Sequence, residues 1–298
     1  MSYLKLSKFL LAISVLLMIA SAVLLVTPGP RLSIEFTGGT LMELALPAGK
    51  TQDDLDKAVR GFRTENPLTP SLAKTRTETY FVRLSTLTNE EHQALFAHLE
   101  KTLGDIDELQ YTTIGPTVGS SLKRNSAIAL GAALVAIILY LAFAFRKMPR
   151  ALSPWTFGYA TIAALIHDTL IMMGIFTILS HYTTFQFDTL FATALLSIMG
   201  YSVSDTIVIF DRIRDNAIAE PRADFAELTE RSLRQSISRT LTTGMGALIM
   251  LFALFFFGSE SIRWFVFALI AGTLIGTYSS FFVATPLVVL WKNARMKK

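Results

Sequence analysis

Two aspartates interrupt stretches that are otherwise apolar: Asp168 in the run from about Ala151 to Leu179, and Asp205 in the run from Thr189 to Phe210. A carboxyl group in mid-bilayer costs on the order of 3 kcal/mol, so each must face the interior of a helix bundle. Ser197, Gly200, Tyr201, Ser204, Asp205 and Val208 recur at three- and four-residue spacing and form a small, polar helix stripe. Asp205 in that stripe either fixes packing through an interhelical hydrogen bond or binds and releases a proton. His167 and Asp168 are adjacent, and helix neighbours point about 100° apart, so the two do not share one narrow face. For them a packing role and a proton relay both stand. Arg239 opens the run Thr240 to Phe257 and is followed by Thr240, Thr242, Thr243, Gly244 and Gly246. It is either a membrane-surface anchor or a fixed positive charge that controls ionisation of Asp205. Gly272 and Gly276 form a small-xxx-small packing pair.

The elements that must position these groups follow from composition. With 298 residues, 52% hydrophobic and 17% charged, and a mean hydropathy of +0.47, the chain carries more apolar surface than a soluble domain can hide. A bilayer core of about 30 Å needs roughly 20 apolar residues per helix. Runs of that order span Phe9 to Val26, Ser126 to Phe145, Ala151 to Leu179, Thr189 to Phe210, Thr240 to Phe257 and Trp264 to Trp291. The net charge of +4 resides in Lys and Arg at the ends of apolar runs, which is a topology signal and not a nucleic-acid surface. Lys5, Lys8, Arg146, Lys147, Arg150, Arg212, Arg214, Lys292, Arg295, Lys297 and Lys298 fall on one side, so both termini are expected in the cytoplasm. Ala20-Ser21-Ala22 could pass for a signal-peptidase site, but the apolar run continues through Val26 and favours a retained anchor.

The chain therefore divides into a first transmembrane helix at 1–30, an extracytoplasmic domain at 31–123 and a five-helix bundle at 124–298. Within the domain, Ser33 to Leu46 reads as a strand with a bulge or bend at Gly38-Gly39. Thr51 to Phe62 and Asn89 to Leu103 read as capped helices, Leu72 to Arg76 and Thr79 to Ser85 as a strand pair, and Asp107 to Ile114 as the last strand. The order βαββαβ predicts a ferredoxin-like α+β fold. Between the fourth and fifth spans, Asp211 to Arg239 carries six acidic and six basic residues, and Phe225, Leu228, Leu233 and Ile237 predict an interfacial helix at about 220–238. The sequence has no cysteine. His92, His98, His167 and His181 have no metal-ligand spacing, and no metal or cofactor is expected.

Three stretches resemble the SecF family of protein-export subunits. They are Phe36-Thr37-Gly38-Gly39-Thr40, Ile114-Gly115-Pro116-Thr117-Val118-Gly119, and the segment Gly200 to Arg214, which holds Ser204, Asp205, Asp211 and Arg212. They occur in the family's order relative to six spans, and the resemblance covers the whole chain. Ser33 and Glu35 stand where that family has Gly and Asp, and Ser204 where Asn is usual. The resemblance implies a multi-pass protein of the bacterial cytoplasmic (inner) membrane, of the RND superfamily, that pairs with SecD and associates with the SecYEG channel. It also implies use of the proton-motive force to draw unfolded preproteins outward, with Asp205 and Arg239 in the proton pathway and Asp168 as a further candidate. An RND-type small-molecule or lipid exporter is a rival reading, but the chain has six spans and one modest outer domain. An intramembrane aspartyl protease using Asp168 and Asp205 is another, but the Gly-x-Gly-Asp pattern of that class is missing, since Val203 and Ser204 precede Asp205. No enzymatic activity is expected.

Overall fold

Every apolar run becomes a helix in the computed structural model, which describes residues 3–62, 68, 70–75, 77–147 and 154–296. Arg76, Arg150, Lys297 and Lys298, which figure in the sequence reading, lie outside the described residues, as does the Ala151 start of the third run. Among the described residues six helices are long and apolar enough to cross a membrane, and most extend beyond the apolar runs that announce them. These are α1 (Tyr3–Val26), α5 (Pro116–Ala144), α6 (Pro154–Tyr182), α7 (Thr189–Ala219), α8 (Phe225–Phe257), and the pair α9 (Arg263–Ser279) and α10 (Thr285–Met296) joined by a π-helical turn at Ser280–Ala284. Pro116 opens α5 ahead of its apolar run, because proline suits the first helical position, where no N–H partner is needed.

The segment expected as a separate helix at about 220–238 is helical from Phe225 and runs unbroken into the fifth apolar stretch as α8. Asp224 caps it by accepting hydrogen bonds from the N–H groups of Ala226 and Glu227. Its expected stripe is split: Phe225, Leu228 and Leu233 are buried, whereas Ile237 is exposed. The Lys292 ammonium lies 3.9 Å from the Phe225 ring centroid.

By contacts the chain forms two units, one comprising Met1–Gly29, Ala129–Thr177 and Leu190–Lys298, the other Pro30–Ile128 and Ile178–Thr189. The second unit is built on a four-stranded antiparallel sheet in the order β2-β3-β1-β4, from β1 (Gly39–Ala45), β2 (Ser71–Lys74), β3 (Tyr80–Leu84) and β4 (Asp107–Ile114). α3 (Gln52–Gly61) and α4 (Asn89–Leu103) each begin with a capping box, Thr51 with Asp54 and Thr88 with Glu91. Their Leu55, Val59, Leu95, Leu99 and Leu103 share a core with Met42, Leu44, Val82 and Leu84 of the sheet. Alternation along β1 and β3 sends one face to that core.

The stretch Ser33 to Thr37 departs from the expected strand. Ser33 accepts from the Glu35 N–H and caps a short helix α2 (Ile34–Thr37), so β1 begins only at Gly39. The Gly pair is a bend, and the register shift in β1 occurs further on, between Glu43 and Leu44. Gly39 has φ +136°, and a Cβ there would lie 2.8 Å from the Leu84 carbonyl oxygen. Gly49 also has positive φ (+88°) but nothing within 4 Å of an added Cβ. Gly39→Ala is therefore expected to destabilise the full chain by about 3 kcal/mol, combining backbone strain with a steric clash, and Gly49→Ala by only about 1 kcal/mol. Equal losses of thermal midpoint in the two variants would contradict the clash at Gly39.

Candidate functional site

α6 places His167 and Asp168 wholly inside the bundle. Side chains that diverge by a helix step nonetheless meet: His167 Nδ1 lies 2.9 Å from Asp168 Oδ1. The other carboxyl oxygen accepts hydrogen bonds from Ser202 of α7 at 2.5 Å and Ser279 of α9 at 2.8 Å. Asp168 thus links its own helix to two others. His167 Nε2 is buried with no hydrogen-bond partner among the described residues.

Asp205 lies on the same face of α7 as Ser202 and Thr206, next to α8. Its Oδ1 accepts from the Thr240 hydroxyl at 2.6 Å. Oδ2 is buried and has no partner among the described residues. Asp205 also lines a cavity of 140 Å³ together with Tyr201, Ser204, Val208, Arg239, Thr240 and Thr243. Arg239 is exposed and forms no ion pair among the described residues, so it shares the cavity with Asp205 without neutralising it. Ser204 is also exposed, and Thr240 supplies the hydrogen bond to Asp205.

The hydroxyls of Ser279 and Ser280 meet Asp168 and Thr206 where the last span changes winding. Pro286 has no N–H to continue an α-helical ladder, and the backbone passes through a π turn at Ser280–Ala284. The Thr285 hydroxyl donates to the Ser280 carbonyl at 2.8 Å. Ser280 is also within 2.8 Å of the Thr206 hydroxyl. One turn earlier, a Cβ on Gly276 would come 3.0 Å from Ser202 Cβ, and one on Gly272 would collide with Ile198. These glycines let α9 approach α7 closely enough for the serines to bond Asp168.

The expected stripe on α7 is only partly the contact face. Ser197, Gly200 and Ser204 are exposed, and nothing lies within 4 Å of a Cβ added at Gly200. The buried line instead runs through Ile198, Ser202, Asp205, Thr206 and Ile209. Asp211 bonds Arg214 at 2.6 Å, one turn on, and Arg212 is exposed. Away from the acids, the sheet unit brings two glycine motifs together. A Cβ on Gly38 would sit 2.9 Å from Pro116 Cα, and one on Gly119 would sit 2.8 Å from the Gly38 nitrogen. Gly115 accepts from the Gly119 N–H at 3.0 Å within the first turn of α5. Glu35 accepts from both the N–H and the hydroxyl of Thr189 at the start of α7, the former at 2.9 Å.

Sequence reasoning missed Ser202 and Ser279 as partners of Asp168, Ser280 as a partner of Thr206, and Glu35 as a partner of Thr189. The adjacent hydroxyls Ser279-Ser280 inside an apolar run, just before Pro286, were the available signal.

Residues 94–294 match the family model described as protein export membrane protein SecD/SecF, C-terminal, and residues 23–46 match the SecD/SecF GG motif. The chain belongs to the SecD/SecF family. Gly38 and Gly39 fall within the GG-motif match, and all the residues around Asp168 and Asp205 fall within the larger one. The protein translocase subunit SecF of Thermobaculum terrenum is 36% identical over 94% of this chain and 90% of its own length. The protein translocase subunit SecDF of Thermus thermophilus is 36% identical over 97% of this chain but 38% of its own length. A crystal structure of SecDF, a translocon-associated membrane protein from Thermus thermophilus, superposes with a TM-score of 0.85 at 32% identity. That match covers 98% of this chain and 39% of the solved one. The chain thus spans about two fifths of the SecDF proteins and nearly all of the separate SecF subunits. Like these SecD/SecF relatives it is a multi-pass membrane protein.

Proposed function

We propose that the chain is the SecF-type accessory subunit of a bacterial Sec translocase in the cytoplasmic membrane. With a SecD-type partner and the SecYEG channel, it uses the proton-motive force to promote movement and release of unfolded preproteins on the extracytoplasmic side. Family membership supports the translocase assignment. The observation that carries proton use is Asp205: one carboxyl oxygen is held by Thr240, and the other is buried, unpartnered and beside a cavity that Arg239 also lines. Asp205 is the group that gains and loses the proton, and Arg239 the charge that sets its ionisation. Asp168, with His167, is a second station on the neighbouring helix. In this reading the chain does no covalent chemistry. The two carboxyls accept from different hydroxyls and do not share a proton, as an aspartyl protease dyad must.

The same reading divides the chain at 1–30, 31–123 and 124–298 and makes the sheet unit ferredoxin-like. The strand order β2-β3-β1-β4 with α3 and α4 as connections supports that assignment. It also places both termini in the cytoplasm. A reporter active only outside the cytoplasm is expected to work when fused at Ala73 or Tyr182 and to be silent at Ala226; activity at Ala226 would reverse the orientation. The translocase assignment is tested by purifying the tagged chain from its native membranes. A SecD-type protein in stoichiometric amount is expected, and recovery of the chain alone at wild-type level would contradict it.

A further inference from the structure

The sheet unit has a polar cleft of 470 Å³, lined by Arg31, Gln52, Ser71–Lys74, Arg83 and residues 180–186. Its charge is unbalanced. Lys74 pairs with Glu78, but neither Arg31 nor Arg83 forms an ion pair among the described residues. Half-buried Arg83 donates to the Thr184 carbonyl at 3.2 Å and lies 5.7 Å from the Phe81 ring centroid. Burial, and then the like charge of Arg31, lower the Arg83 pKa to about 10, so its guanidinium remains charged at neutral pH. Two forked donors facing one cleft without a carboxylate are arranged to receive an anion from outside the chain.

Connectivity indicates which anion. Arg31 follows the Pro28-Gly29-Pro30 turn that ends α1, and residues 180–186 link the end of α6 to the start of α7. The cleft therefore borders the points where apolar helices leave the membrane, which is headgroup depth. Tyr182, 85% exposed beside it, is the aromatic residue type favoured at that level. We propose that this cleft binds the phosphate of a phospholipid headgroup.

The test uses the full chain in maltoside micelles, which carry no phosphate, titrated with short-chain phosphatidylglycerol and followed by native mass spectrometry. Saturable binding is expected, with affinity falling about fivefold for each cation removed by Arg31→Gln or Arg83→Gln. Lys74→Gln, which removes a charge already paired, should change it less than twofold. Arg31 touches the rest of the unit through its backbone, so Arg31→Gln keeps the test valid should Arg83→Gln fail to fold. Short-chain diacylglycerol, lacking the phosphate, should not bind. Unchanged affinity in Arg31→Gln would overturn the site. Inorganic phosphate binding as tightly as the lipid, or an acidic peptide binding through the arginines where the lipid does not, would overturn the lipid assignment.

Discussion

Replacing Asp205 by Asn is expected to leave the protein folded and associated with its SecD-type partner while abolishing the part of preprotein export that depends on a proton gradient. Asn keeps the size and can still accept the Thr240 hydrogen bond, but it cannot titrate. A carboxyl among apolar atoms favours its acid form, and one facing a cation favours the carboxylate. A small shift of α7 against α8 that opened or closed the cavity shared with Arg239 would exchange those environments. A membrane potential supplies about 2.3 kcal/mol per charge per 100 mV, enough to bias two bundle arrangements a few kcal/mol apart. The assay is export into inverted vesicles carrying the variant and its partners, with and without an imposed gradient. Gradient-dependent stimulation at wild-type level in Asp205→Asn would reduce Asp205 to a packing residue.

Asp168→Ala is expected to destabilise the helix bundle. It strands the Ser202 hydroxyl and the His167 ring inside the bundle, while Ser279 keeps the Gly276 carbonyl as an acceptor. Each buried group left unsatisfied costs about 1–3 kcal/mol, and hydrogen bonds between membrane helices average nearer 0.6 kcal/mol. A loss of about 2–3 kcal/mol follows for the two groups together. Asp168→Asn, which retains one carbonyl acceptor, should lose about half as much. The measurement is unfolding of the detergent-solubilised full chain by a denaturing detergent. A loss below about 0.5 kcal/mol in the Ala variant would show that Asp168 does not hold α6, α7 and α9 together.

Local signals carried the sequence reading well. Thr51 with Asp54 and Thr88 with Glu91 announce helix starts because each box satisfies neighbouring N–H groups, independent of tertiary context. The run Asp107 to Ile114 is likewise the observed β4. Ser33 to Thr37 was misread because β-type residues there answer to a serine cap and to Glu35 bonding Thr189, a contact made across 154 positions of sequence. The acids were legible because charge in an apolar run is costly wherever it falls. Their partners were not, since Ser202 and Ser279 acquire meaning only when the glycines of α9 and the π turn bring α7 and α9 together. The same cause misplaced the small stripe on α7: spacing identified a helical face through Asp205 but could not say which neighbouring line, through Ser202 or through Ser204, meets the next helix.

The central claim, that Asp205 binds and releases a proton during work, is tested most directly by infrared difference spectroscopy of the chain assembled with its SecD-type partner in proteoliposomes. Spectra with and without an imposed proton gradient are expected to differ by a carboxylic-acid carbonyl band that disappears in Asp205→Asn and persists in Asp211→Asn, whose carboxylate is an exposed partner of Arg214. A difference spectrum without that band, or one unchanged by Asp205→Asn, would contradict the account.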